Sequence, residues 1–289
     1  MIDLDDCARQ YVQNPDNPLE SAAAVPAQLR FARCGANTIL ERSYATNPLK
    51  LFTTRGVSSA CWVYAATYGG GIVGGDAIRL NVDAAQGARA VITTQASTKV
   101  YRSLRPASQH VKSSIDDDAL LVVLPDPVVC FAGSDFSQRQ RYDLQHRGSL
   151  VLVDWMTSGR HAAGERWAFH HYSSRIDIRR AGRQILYDTL WLDEGDGPIG
   201  ERLGGFEVCL TAVVTGPLVA DAATAIVGAV SEMAIHRHAD FVAAAWMLPD
   251  GGALLRMNGV SVEQVGAALR ERLFFLGGLL GDDPFSRKW

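Results

Sequence analysis

Three patterns in this chain place reactive residue types at spacings that could do chemistry: a glycine loop, paired histidines and a charged turn. Gly69, Gly71 and Gly74 spell G-x-G-x-x-G, which in a dinucleotide site lets the backbone approach a pyrophosphate. That use needs a helix opening at the third glycine, with its N-terminus facing the phosphates. Here Ile78, Leu80 and Val82 follow, alternating with Arg79, Asn81 and Asp83. This is the period of a half-buried strand, so the loop joins strand to strand and its glycines serve positive φ or close backbone approach. A small nucleotide-dependent oxidoreductase or hydrolase using the Gly69–Gly75 loop is the rival reading.

The histidines offer less. His236-Arg237-His238 falls at the end of an expected helix, where a two-residue offset turns the imidazoles apart and polar groups serve the helix dipole. His170 and His171 are neighbours on an expected strand and point to opposite faces. No H-E-x-x-H, Walker A or G-x-S-x-G pattern occurs, so neither a dedicated metal cage nor a nucleophile elbow is expected.

Gly159-Arg160 and Gly164-Glu165 lie between Trp155 and Trp167 and read either as an ion-paired loop or as a partner anchor. Thr93, Thr94, Gln95, Ser97, Thr98 and Lys99 form a polar run after an apolar strand. They either cap strand edges or line a wet internal passage for hydrated ions. Pro125 and Pro127 cannot lie inside a central strand and imply an edge or a corner between sheets. Asp154 interrupts Val151–Trp155, where an unpaired charge is costly; it needs a partner such as Arg160, or a water-filled space.

The elements that must position these residues are mostly strands. Short alternating or β-branched segments run from Ala60–Thr67 through Asp76–Asp83, Ala88–Thr94, Gln109–Ile115, Ala119–Leu124, Phe136–Leu144 and Leu150–Trp155. Trp167–Ile178, Gln184–Leu192 and Phe206–Val214 continue the series, the first two joined by a tight turn at Ala181-Gly182-Arg183. Phe241–Met247 and Ala253–Met257 flank a hairpin signal, Pro249–Gly252. The pattern predicts a mainly β fold, a layered or helical arrangement of many short strands without βαβ units. The minor helical part is C-terminal, at about 222–236, capped by Asp221, and at 262–280, capped by Ser261 with Gln264 at N3. The stripe Val265, Leu269, Leu273, Leu276 and Leu280 must be buried by the sheet or by another protein. Residues 1–28 read as a poorly ordered lead-in and 29–289 as a single β-rich domain.

Composition narrows the function class. A net charge of −3 argues against nucleic acid as a partner, and no apolar run approaches a membrane span. Five scattered cysteines without a C-x-x-C pair, and an acidic start, suggest a cytoplasmic protein. Arginine supplies almost all the positive charge, lysine occurring only at Lys50, Lys99, Lys112 and Lys288.

Gly70–Asp76 and Thr93–Arg102 together resemble the signature of the urease accessory protein D family (UreD, also called UreH). Leu124-Pro125-Asp126-Pro127 leading to Phe131 and Gln138, then Trp155 and Gly159–Trp167, follow in that family's order. Within these blocks Gly74, Asp76, Thr94, Lys99, Tyr101, Pro125, Pro127, Phe131, Arg160, Glu165 and Trp167 are the candidates for partner binding or structure. The resemblance implies a β-rich helical topology and a non-enzymatic chaperone of urease maturation. Such a protein binds apo-urease and bridges it to a UreF-type accessory protein and a UreG-type nickel GTPase. It implies no cofactor, with nickel in transit through or alongside the scaffold. Asp154 and Glu165 are the weak transit candidates, since carboxylates suit a hydrated divalent cation and a deep site would trap it. Cys130 stands where the family commonly has a proline, and the first 28 residues have no clear counterpart.

Overall fold

Two kinds of strand are written in this chain, and they go to two sheets. Segments such as Asp135–Leu144 alternate buried and solvent-facing side chains, whereas Leu120–Leu124 and Val208–Thr215 are apolar almost throughout. The first kind suits a sheet with one wet face and the second a sheet covered on both. In the computed structural model, which describes residues 25–54, 58–234, 236 and 238–286, both sheets are present.

The first strands are β1 (Ala27–Cys34), β2 (Asn37–Tyr44), β3 (Leu49–Thr53), β4 (Cys61–Thr67), β5 (Ala77–Ala84) and β6 (Arg89–Thr94). Next come β7 (Thr98–Val100), β8 (Ala107–Ile115), β9 (Leu120–Leu124), β10 (Val128–Cys130), β11 (Asp135–Leu144) and β12 (Ser149–Thr157). The last are β13 (His171–Arg180), β14 (Arg183–Asp193), β15 (Val208–Thr215), β16 (Phe241–Met247) and β17 (Ala253–Gly259). Helices are α1 (Ile199–Leu203), α2 (Ala220–Ser231), α3 (Val262–Arg272) and α4 (Leu276–Leu280).

The first sheet has the order β14-β13-β11-β8-β5-β1-β2. The second runs β16-β17-β15-β12-β9-β6-β4-β3, with β10 beside β12 and β7 beside β10. From β4 to β13 the chain passes back and forth between the sheets, laying each return parallel to the last. Thus β4, β6, β9 and β12 are parallel in one sheet, and β5, β8, β11 and β13 in the other. Antiparallel pairs close the edges, including the β13–β14 and β16–β17 hairpins at the turns expected for them.

One core lies between the sheets and a second between the second sheet and the helices. Strand β12 feeds both: Leu150, Leu152 and Met156 face the first sheet, and Val151, Val153 and Trp155 face the helical side. Val265, Leu269, Leu273, Leu276 and Leu280 all lie in the second core, so the sheet buries the apolar stripe.

Several boundaries differ from expectation. Residues 1–24 lie outside the described residues, but Ala27 and Gln28 belong to β1, and Ala27 is fully buried. The helix expected over 222–236 is Ala220–Ser231; its N-cap is Val219, with no side-chain cap, and Asp221 sits in its first turn. His236 therefore lies beyond the helix. The single helix expected over 262–280 is two, broken by a turn at Leu273–Phe275 that keeps Leu273, Leu276 and Leu280 against the sheet. Ser261 does cap α3, accepting the Gln264 N–H at 3.1 Å. The strand expected from Trp167 begins only at His171, because Trp167 has φ +52° and belongs to the preceding loop. Strands β1, β2 and β3 and the three-residue β7 and β10 lacked a sequence pattern strong enough to read.

Candidate functional site

The coil has two unlike ends. At one, short turns stack: Gly87 donates to the Asp117 carbonyl at 3.1 Å, Asp118 to that of Arg147 at 3.3 Å, and Arg147 pairs with Asp118 at 2.6 Å. At the other, four longer connections stack, over 68–76, 95–106, 125–134 and 158–170. Ile72 donates to the Lys99 carbonyl at 2.7 Å, Tyr101 to Ile72 at 2.9 Å, Phe131 to Val100 at 3.0 Å and Gly133 to Ala168 at 2.9 Å. The four sequence blocks are thus one per turn of the coil, and they meet in space.

Close packing accounts for the glycines. After a 3-10 turn at Tyr68–Gly70 the loop runs into β5, not a helix, so no helix N-terminus faces a phosphate site. A Cβ on Gly71 would overlap the Tyr101 ring, and one on Gly74 would overlap the Ser103 side chain and the Arg105 carbonyl. Asp76 closes the turn by accepting the Val73 N–H at 2.9 Å.

Neighbouring blocks hold one another. The Thr94 hydroxyl accepts the Asp126 N–H at 2.7 Å and donates to its carboxylate at 2.9 Å. Thr93 donates to the Leu124 carbonyl at 2.6 Å, and the Trp155 indole to that of Pro125 at 2.8 Å. Pro125 and Pro127 form the corner between β9 and β10. Tyr101 meets Phe131 edge-on with centroids 5.0 Å apart, and the Arg160 guanidinium lies 4.2 Å over the Phe131 ring. Arg160 in turn binds both oxygens of Glu165, whose carboxylate also accepts the Ala132 N–H at 3.1 Å. These contacts, the guanidinium first, hold the Glu165 carboxyl below its ordinary range. Lys99 is exposed, while Trp155 and Trp167 are both buried, so the two tryptophans do not flank Arg160 as a surface anchor.

Beneath this end lies a cavity of about 200 Å³ between the sheets. Thr93 to Thr98, Pro125 and Asp126 form its rim, and its far wall is the inner face of β8 and β11, including Gln109, Ser113, Gln138 and Gln140. An interior position that holds glutamine instead of an apolar side chain must be hydrogen-bonded or wet. The Ser113 hydroxyl is buried there without a protein partner, as befits a group that bonds to water.

Asp154 stands at the back of this cavity and also lines a second, of about 140 Å³, whose wall includes Ser174, Asp188, Cys209 and Arg256. Arg160 is not its partner: Asp154 accepts from the Gln138 amide at 2.6 Å and from the Ser174 hydroxyl. Desolvation raises its carboxyl to about 6, against the pull of those two bonds. Glu165 lines neither cavity, so the structure does not bring the two carboxylates together. Asp188, paired with Arg256, is a further carboxylate, on the wall of the second cavity, that sequence reading missed, as were Gln109, Gln140 and Ser174. The signal was there: Gln138 and Gln140 occupy the inward positions of an alternating strand.

Among the described residues no group of three or more His, Cys, Asp or Glu side chains is placed to hold a metal ion. Cys130 is buried and its thiol pushed up to about 12 by desolvation, which makes it a poor thiolate ligand. No helix among the described residues is long and apolar enough to cross a membrane.

A family model described as UreD urease accessory protein matches residues 24–289. The chain is 45% identical to the urease accessory protein UreD of Sorangium cellulosum (strain So ce56), over 98% of this chain and 93% of that protein. It is 42% identical to that of Anaeromyxobacter sp. (strain Fw109-5), over 89% and 87% of the two chains. A plant relative, urease accessory protein D of Arabidopsis thaliana, is 32% identical over 88% of this chain and 97% of its own. The stacked blocks, the two-sheet coil and these matches agree, and the chain belongs to the UreD urease accessory protein family.

Proposed function

We propose that this protein is a non-catalytic scaffold for urease maturation that binds apo-urease and joins it to UreF-type and UreG-type partners. Nickel is its cargo, entering at the rim formed by Thr93–Thr98, Pro125 and Asp126 and passing Asp154 toward the second cavity. The observation that carries this reading is the position of Asp154, a hydrogen-bonded carboxyl that lines two cavities, each with polar side chains set among apolar ones. A carboxyl that exchanges its proton near neutrality can greet a hydrated cation without trapping it. Cytoplasmic residence fits the free thiols of Cys34, Cys61, Cys130 and Cys209.

The test is co-expression with the urease structural subunits and the remaining accessory proteins, followed by nickel analysis per assembled complex. Wild-type protein is expected to co-purify with urease, and Asp154→Asn to assemble equally while delivering less nickel. Glu165→Gln is expected to leave nickel content unchanged. Failure of the wild type to associate with urease would sink the scaffold, and full nickel occupancy with Asp154→Asn would sink the passage. Saturable binding of NAD, GTP or ATP to the purified chain would instead favour the nucleotide enzyme.

A further inference from the structure

Every second residue of the first sheet points away from the core, and the register lines these residues up in rows. One row reads Arg79, His110, Arg139 and Arg175 across β5, β8, β11 and β13. The next holds Lys112 beside Arg141. Like charges directly opposite on adjacent strands, as Arg139 and Arg175 or Lys112 and Arg141 are, repel across only about 4.8 Å, so the fold gains nothing from these pairs.

Neighbouring carboxylates pair Arg141 but leave Arg139, Arg175 and Lys112. Asp143 is taken by Arg141 and Asp177 by Arg179. Arg139 and Lys112 make no hydrogen bond or ion pair with any described residue. Arg175 lies 5.6 Å over the Tyr187 ring, and its Nε is shielded from water without a partner. Beside it β14 presents two aromatic side chains to solvent, Tyr187 at 57% and Trp191 at 43% exposure. Guanidinium groups next to exposed Tyr and Trp are the composition of a protein interface centre, not of an ordinary wet sheet.

We propose that the outer face of β8, β11, β13 and β14 docks a partner protein through a strip of carboxylate side chains. Charge complementarity selects that occupant. Asp135 and Asp193 bound the basic rows on one side, and Asp83 and Asp143 on the other. A long polyanion or an anionic lipid surface would meet these carboxylates as well, as would be unfavourable for a chain of net charge −3. A narrow acidic strip meets only the forks of Arg139 and Arg175, which suit carboxylates, with Tyr187 and Trp191 excluding water. The proposal does not depend on what the cavities carry.

Fluorescence anisotropy of a labelled glutamate-rich peptide against the full chain tests it. Saturable binding is expected, weakened by salt, and lowered about tenfold or more by Arg139→Glu with Arg175→Glu. Arg270→Glu, on α3, should leave it unchanged. Equal affinity in the double variant would overturn the proposal, as would tighter binding of a DNA oligonucleotide of equal charge or of phosphatidylserine vesicles. Folding is controlled with Arg139→Gln and Arg175→Gln together. Their thermal midpoint should be at or above wild type while peptide binding falls; a lower midpoint with unchanged binding would assign the row to the fold alone.

Discussion

Asp154 is a carboxyl inside an apolar strand, and its surroundings set how it answers pH. Burial raises its folded-state value from 3.8 to about 6, with Ser174 and Gln138 opposing. The folded protein therefore binds a proton more readily than the unfolded chain, and stability rises as pH falls through about 6 toward 4. Above that window the ionised form is a net cost, at most about 3 kcal/mol from the linkage relation and less because the group lines cavities large enough for water. Asp154→Asn is accordingly expected to raise the thermal midpoint at pH 7.5, the gain shrinking as pH is lowered. A midpoint difference independent of pH would show that ionisation of Asp154 is not what the fold opposes. A charge interrupting an apolar run made Asp154 visible in the sequence. Its partners were not, because Gln138 and Ser174 lie 16 and 20 residues away on the opposite sheet.

At the scale of elements, legibility followed periodicity. Strands β5 and β11 alternate clearly and were read nearly to their ends, whereas the solvent-facing β2 and the short β7 and β10 exist through pairing alone. Parallel pairing was equally hidden, since turns at Gln86-Gly87 and His146–Ser149 look alike whether they return a strand to its own sheet or carry it across to another. The glycine loop shows how a motif can be right in letters and wrong in context. Its literal pattern suggested phosphate binding, but Gly74 is required because a Cβ there would overlap Ser103 and the Arg105 carbonyl. Gly74→Ala should then cost about 1–3 kcal/mol or more, as overpacking of a fixed site does, measurable by urea denaturation. Gly70→Ala meets no neighbour but demands positive φ and should cost about 1 kcal/mol. A loop evolved to hold a ligand would show little stability change at Gly74 and would lose ligand affinity instead.

The whole molecule is three layers, sheet on sheet on helices, and the middle sheet belongs to both cores. Successive residues of β12 face opposite ways, so Leu152 and Val153 are neighbours in the chain yet anchor different cores. Neither layer interface can open without moving this strand. The described residues are therefore predicted to unfold as one cooperative unit, in line with a single domain. Leu152→Ala removes fully buried surface and should cost about 2–5 kcal/mol, with Val153→Ala somewhat less. Both should shift the same transition. Trp167 lies in the inter-sheet core and Trp62 in the helical-side core, so single-tryptophan variants retaining one or the other report the two sides separately. Coincident urea curves from the two reporters, displaced together by either alanine variant, are the expected result. Two separated transitions, with Leu152→Ala moving only that of Trp167, would mean that the coil and the helical layer are independent units that merely share a strand.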